Sequence, residues 1–310
     1  MDTDSSALVK TDLPENHKSG FVALIGQPNV GKSTLLNAWL GTKLAPVSPK
    51  PQTTRNPLLG ILTRDDMQIV FVDTPGIHVP QSKLGNYMVE SAKQAIPDAD
   101  IVLFMVDASE RPNTGDRAIV DLFKPLRDAP VVLVMNKSDL LSNEERKERR
   151  QAYSALWEFT DVVMISALTL DGCLPLLERT QDMLPLGPRF FPEDQISDQQ
   201  ERWIVAELIR EQTMRILDKE VPYALAVVVQ EFTQRPNGTT YIAANLYTER
   251  DSQKGIVIGR KGTMLKRIGQ AARRDLEEFL DGRVYLELWV KVRKNWRRNE
   301  QFLKQLGYWL

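Results

Sequence analysis

The chain is poor in residues that build covalent staples or transition-metal centres. It has one cysteine, Cys173, in 310 residues, which excludes a disulfide framework or a Cys-based zinc site and points to a reducing compartment. Leu174, Leu176 and Leu177 surround that cysteine, so it reads as a small packed residue and not a nucleophile. The two histidines, His17 and His78, are too far apart in sequence to suggest a metal pair. No run of 18 apolar residues occurs, so no segment reads as a membrane-spanning helix. Residues 1–19 are polar and mixed in charge, without the basic start and apolar centre of a signal peptide. A cytoplasmic location is the expectation, with peripheral association at the inner face of the membrane left open.

A dominant charge is missing as well, but only on average. The net charge is −1, yet residues 1–185 carry 19 basic against 24 acidic side chains, and residues 250–310 carry 15 against 7. That asymmetry suggests an acidic first domain and a basic, partner-binding end. The break falls at Leu184-Pro185-Leu186-Gly187-Pro188-Arg189-Phe190-Phe191-Pro192, through which no helix can pass. The expected organisation is a flexible tail over 1–19, a first domain over 20–185, a linker over 186–197 and a second domain over 198–310.

The first domain alternates apolar strand-like runs with helical patterns, as an α/β fold with a mostly parallel sheet does. Runs such as Ile101–Val106 and Val131–Met135 are apolar throughout, which suits strands covered on both faces. Ligands bind beyond the carboxyl ends of such strands. After the first strand comes Gly26-Gln27-Pro28-Asn29-Val30-Gly31-Lys32-Ser33, then Thr34 and an apolar helix. Strand, glycine-rich loop and helix in this order make a phosphate cradle: backbone N–H groups and a helix N-terminus face the polyanion. Lys32 reaches the terminal phosphates and the Ser33 hydroxyl suits Mg2+.

Three further strand ends carry chemistry. Asp73-Thr74-Pro75-Gly76-Ile77 supplies a carboxylate for Mg2+, acting through water, and a Gly76 N–H open to a γ-phosphate. Asn136-Lys137-Ser138-Asp139 supplies a base-reading carboxylate. Guanine offers two adjacent donors to Asp139, whereas adenine leaves it poorly satisfied, a difference of about 1–3 kcal/mol. Asn136 is placed to bridge this loop to the phosphate loop, and the Lys137 stem to cover the base. Ser166-Ala167-Leu168 offers backbone N–H groups to the guanine carbonyl. Between them lies the polar stretch Pro51-Gln52-Thr53-Thr54-Arg55, where a threonine, Thr54 in preference to Thr53, completes the Mg2+ shell when a γ-phosphate is present.

The second domain reads as a helix over 198–219, strands over 223–232 and 240–248 joined by an Asn237-Gly238 turn, a helix over 263–280 and a strand over 284–292. Between them, Lys254-Gly255-Ile256-Val257-Ile258-Gly259-Arg260-Lys261-Gly262 precedes a basic helix that includes Lys266. Gly259-x-x-Gly262 resembles the KH backbone clamp, in which glycines let a nucleotide backbone approach and basic residues attract phosphates. Ile256 and Ile258 are the expected apolar groove wall. The tail Lys291–Arg298 mixes bases with Trp296, either as a nucleic-acid surface or as a solvated basic end capped by a packed indole.

The phosphate loop, Pro51–Arg55, Asp73–Ile77, Asn136–Asp139 and Ser166–Leu168, in this order, resemble a translation-factor-class GTPase and closely the Era family, over residues 20–306. The resemblance implies a P-loop GTPase domain followed by an α+β KH domain of the prokaryotic, type II kind. It implies hydrolysis of GTP to GDP and phosphate with Mg2+, and binding of 16S ribosomal RNA in small-subunit assembly by a monomer. Gln27 stands where Era phosphate loops often have arginine, at a position expected to point outward. Ras-like proteins place a water-orienting glutamine after the D-x-x-G glycine; here that residue is Ile77. In the related tRNA-modification GTPase a phosphate-loop asparagine helps hold K+, and Asn29 matches it, so K+ activation is an expectation. A P-loop phosphotransferase such as a nucleotide kinase and an RNA-binding scaffold with a structural nucleotide site are the rival readings.

Overall fold

The computed structural model describes residues 13–80, 82–126 and 129–308. Most of the expected N-terminal tail, through residue 12, lies outside them. The chain forms two compact units: residues 1–41, 57–78 and 91–198, and residues 42–56, 79–90 and 199–310.

The first unit is built on a six-stranded sheet. Its strands are β1 (Lys18–Gly26), β2 (Leu58–Thr63), β3 (Met67–Asp73), β4 (Ile101–Asp107), β5 (Val131–Asn136) and β6 (Asp161–Met164), in the spatial order β2-β3-β1-β4-β5-β6. All neighbours are parallel except β2, which runs antiparallel to β3 at the edge. Helices α1 (Lys32–Leu40), α3 (Thr114–Val120) and α4 (Asn143–Ser154) lie in the connections between strands, α5 (Cys173–Met183) follows β6, and α2 (Lys83–Gln94), between β3 and β4, is divided between the two units. The uninterrupted apolar strands are explained by burial on both faces: every residue of β5 is buried, and Ile101–Val106 of β4 likewise. Two helices begin with reciprocal capping boxes that satisfy otherwise orphaned N–H groups, Asn113 with Asp116 and Ser142 with Glu145. Cys173 is buried, its thiol pushed up to about 11 by desolvation, and its carbonyl accepts from Trp39 Nε1 at 3.0 Å. It is a packing residue.

The second unit has the order α6 (Glu201–Ile216), β7 (Ala226–Gln234), β8 (Thr240–Thr248), α7 (Asp251–Ile258), α8 (Thr263–Phe279), β9 (Val284–Val292), α9 (Glu300–Gln305). Its sheet runs β7-β8-β9, antiparallel then parallel. The first strand starts at Ala226, later than the apolar run beginning at Tyr223 suggests, because Pro222 opens a 3-10 turn over Pro222–Ala224. The first helix stops at Ile216, with Leu217 extended and Lys219 in the left-handed region.

Trp296 corrects the nucleic-acid reading of the tail. Its ring is fully buried, its Nε1 donates to Ala224 O at 2.9 Å, and it packs with Ala226, Phe302, Leu303 and Tyr308. The packed alternative is the one that occurs. Among the described residues no helix is long and apolar enough to cross a membrane. Replacing Trp296 with alanine is expected to destabilise the second unit by about 3–5 kcal/mol, read as a lowered urea midpoint; an unchanged midpoint would refute its place in this core.

Candidate functional site

At the carboxyl end of β1 the chain turns through Asn29 at φ 64° and Gly31 at φ 105° into α1. Gly31 is obligatory twice over: its φ is left-handed, and a Cβ there would lie 2.1 Å from Asn136 Nδ2. That amide donates to Val30 O at 2.7 Å, while Asn136 Oδ1 accepts from Ala167 N at 2.8 Å. One carboxamide therefore joins the phosphate loop to the loop after β6. Gly26, Val30 and Lys32 are buried, Asn29 is exposed, and Pro28, Ser33 and Thr34 are half-buried.

Lys32 Nζ donates to Gly26 O and Gln27 O at 3.2 and 3.1 Å, folded back over its own loop. Burial lowers its pKa to about 8, with the Asp73 carboxylate opposing the shift. Ser33 Oγ donates to Asp73 Oδ2 at 2.6 Å. A hydroxyl and a carboxylate converging beside a phosphate loop form a hard-oxygen donor pair that fits Mg2+, which binds through few protein ligands plus water and phosphate. Among the described residues no group of three His, Cys, Asp or Glu is placed to hold another metal.

The Asp73–Ile77 turn lies against the phosphate loop. Ile77 N donates to Gly26 O at 3.1 Å, Thr74 Oγ1 to Leu24 O at 2.7 Å, and a Cβ on Gly76 would meet the Pro28 backbone at 2.5 Å. The Ile77 side chain is buried in the cluster around Phe104 and Phe123. On the base side, Lys137 has φ 66° and its ammonium pairs with Asp107, a partner that sequence spacing does not single out. Asp139 is exposed in the following turn. Ser166 and Ala167 are buried and Leu168 is exposed. Thr53 and Thr54 belong to the second unit with the rest of residues 42–56.

Gln27 does not point outward as expected. Its Nε2 donates to Asn113 Oδ1 at 3.0 Å and to Asp116 Oδ1 at 2.7 Å, tying the phosphate loop to the cap of α3. Local sequence holds no sign of this, because the partners lie 86 and 89 residues away.

In the second unit Gly259 takes φ 71° and Gly262 φ 78°, with Arg260 and Lys261 exposed between them. Lys254 and Ile258 are half-buried, and Gly255 and Lys266 are exposed. An apolar groove of about 460 Å³ opens beside this turn, lined by Leu265, Lys266 and Gly269 of α8 and by Leu286 and Leu288 of β9. Its walls are therefore α8 and β9, and the expected pair Ile256 and Ile258 is not among them.

Residues 21–137 match the family model described as 50S ribosome-binding GTPase, and residues 220–297 match that of the KH domain. GTPase Era of Geotalea uraniireducens is 51% identical over 291 residues, spanning 94% of this chain and 98% of its own length. The chain belongs to the GTPase Era family. GTPase Era of Caldanaerobacter subterraneus subsp. tengcongensis is also 51% identical, over 293 residues with the same coverage. Among solved structures, Era in complex with MgGDPNP and nucleotides 1506–1542 of 16S ribosomal RNA matches with TM-score 0.91 and 41% identity over 95% of this chain and 100% of that one. An Aquifex aeolicus Era variant bound to GDP and aluminium fluoride matches with TM-score 0.90 and 41% identity over 94% and 100%. The family assigns the first unit's sheet to a P-loop GTPase domain and the second unit's sheet with α7 and α8 to a KH domain, and makes the chain a GTP hydrolase.

Because burial lowers the Lys32 pKa to about 8, a polyphosphate placed against its ammonium is expected to raise it again, so that nucleotide binding takes up a proton above pH 8. From pH 7 to pH 9 GTP affinity is expected to fall about tenfold, with Lys32→Met losing both affinity and slope. Calorimetry in buffers of different ionisation enthalpy checks it; a pH-independent affinity contradicts it.

Proposed function

We propose that this GTPase uses its bound nucleotide to set how its KH domain holds the 3′-end region of 16S ribosomal RNA during small-subunit assembly. The observation that carries the reading is the membership of residues 42–56. This segment joins α1 to β2, yet it is packed within the unit that contains the KH elements. The Arg55 guanidinium is buried there, donating to Leu225 O at 2.7 Å and Tyr223 O at 3.1 Å. Arg210 of α6, paired with Glu207, donates to Thr53 O. Lys43 meets Glu211 at 2.9 Å and Asp275 of α8 at 2.7 Å. A γ-phosphate that recruits Thr54 to Mg2+ thus acts on a segment tied by a buried arginine to α6 and by a half-buried ion pair to α8.

In this reading the loop Gly26–Thr34 and the turn Thr74–Ile77 wrap the phosphates. Lys32 neutralises the terminal pair, Ser33 and Asp73 hold Mg2+ with Thr54, and Gly76 N–H meets the γ-phosphate. Asp139 reads guanine with Asn136, Lys137 and the Ser166–Leu168 backbone around it. Ile77 has no group to orient water, so a K+ held at Asn29 would supply positive charge beside the phosphates. RNA lies on Lys254, Gly255, Ile258, Gly259, Arg260, Lys261, Gly262 and Lys266. The working form is a monomer in the cytoplasm, able to associate peripherally with the membrane. A kinase reading has no support from an exposed guanine-reading Asp139, and a scaffold reading leaves the buried, charge-tuned Lys32 without a role.

Two measurements test this. The affinity for a 16S 3′-end RNA is expected to differ between the GDPNP and GDP states by about tenfold, within the usual range of allosteric coupling; equal affinities reject the switch. Hydrolysis is expected to be faster in K+ than in Na+, with Asn29→Ala abolishing the difference. A rate indifferent to the cation removes K+ from the mechanism.

A further inference from the structure

The three-stranded sheet of the KH unit has an inner face, on which α6 and α8 pack, and an outer face. Along β9 the residues alternate accordingly. Leu286 and Leu288 face the groove beside α8, and Tyr285, Glu287 and Trp289 face outward with their paired neighbours Tyr241, Ala243 and Asn245 of β8. One end of this outer face is covered: Tyr247 stacks edge-on against Phe302, and Ala226 packs with Trp296. The other end is not. Among the described residues of the unit, Tyr285 is 50% and Trp289 48% exposed.

Tyr241 and Tyr285 lie stacked with centroids 5.9 Å apart and 25° between planes. The Arg235 guanidinium sits 4.4 Å from the Tyr241 ring centre and 5.2 Å from that of Tyr285, and Tyr241 Oη donates to Glu287 at 3.0 Å. Trp289 follows four residues on, roughly 13 Å along the strand. Tyr285 also lines the groove beside the Gly259–Gly262 turn, so the aromatic row is continuous with it. The patch is close to neutral: Arg235 and Lys291 are offset by Glu287 and Glu231. A carboxylate in the middle of the row repels phosphates, so a strand crossing it must present bases to the rings and keep its backbone away.

We infer that the outer face from Arg235, Tyr241 and Tyr285 to Trp289 is a base-stacking platform that lengthens the RNA site. Single-stranded RNA leaving the groove past Tyr285 places its next unpaired bases on these rings. The inference rests on the KH groove holding RNA, and it adds a second, sequence-tolerant contact whose strength comes from π-faces and not from charge.

The test uses the full chain loaded with GDPNP and two unstructured RNAs, (AC)2, which the four-nucleotide KH clamp accommodates, and (AC)5, which reaches beyond it. Wild-type protein is expected to bind the longer RNA more tightly. Trp289→Ala should cut that gain about five-fold or more, the scale of one stacked base, while (AC)2 affinity and the salt slope stay unchanged. Tyr285→Ala should cut it as well, with a smaller effect on (AC)2. A gain that survives in both variants, or no gain in the wild type, overturns the platform and leaves the face to a protein partner. Failure of an Arg260→Ala, Lys261→Ala double variant to weaken (AC)2 would instead reject the groove reading itself.

Discussion

The structure depends on a charge buried where hydrophobic packing alone would exclude it. Arg55 is 1% exposed, within a core that includes Trp296, whose ring centre is 5.8 Å from the guanidinium. Desolvation and the neighbouring Arg210 both lower its pKa, while Glu207 holds Arg210 above its ordinary value against the same desolvation. Isolated buried cations are costly, and removing one partner of such a network typically costs about 3–5 kcal/mol. Their value here is geometric. The carbonyls of Tyr223 and Leu225 become fixed acceptors, Pro222 holds the turn that presents them, and residues 42–56 are placed by the second unit even though they connect two elements of the first. Glu211, fully buried with its carboxyl pushed up by desolvation, is kept in the same network by Lys43 and Arg215.

A second constraint organises the nucleotide loops. Asn136 both donates and accepts, and Gly31 is shaped to its amide, so the phosphate loop and the loop after β6 form one cross-braced surface. Gln27 adds a brace to the α3 cap. With Ile77 buried in the core, the turn after β3 is held by packing and by its N–H bond to Gly26 O, leaving no polar side chain at that position for water. Position 77 therefore gives the site no side-chain donor or acceptor.

How much of this was legible varied with the range of the interaction. The mostly parallel sheet of the first unit, and the first helix, the hairpin, the long basic helix and the last strand of the second, followed from apolar runs, prolines and one Asn-Gly turn, since those signals are local. The motif glycines were legible for the same reason: left-handed φ at Gly31, Gly259 and Gly262 is a property of one residue. What escaped were contacts set by the tertiary fold. Gln27 looked like a surface substitution because its partners at the α3 cap are 86 and 89 positions distant, and the pairing of Lys137 with Asp107 was likewise not visible in the spacing. Trp296 among basic residues resembled a nucleic-acid surface, and only the packing of Phe302 and Tyr308 shows it to be core. The cavity beside the Gly259–Gly262 turn is lined by α8 and β9, a pairing of distant segments that sequence proximity does not show. Segment 42–56 gave no compositional hint that it belongs with the second unit.

The claim that nucleotide and RNA communicate through that segment has a thermodynamic consequence. If GDPNP strengthens or weakens RNA binding by some factor, RNA must change the GDPNP-to-GDP affinity ratio by the same factor. The direct measurement is that ratio, with and without saturating RNA, in the wild type and in Arg55→Lys, which keeps the charge but loses the forked donation to Tyr223 and Leu225. The account predicts a shift in the wild type that matches the RNA effect and largely disappears in the variant. A ratio untouched by RNA in the wild type, or an equal shift in a folded Arg55→Lys protein, would contradict it.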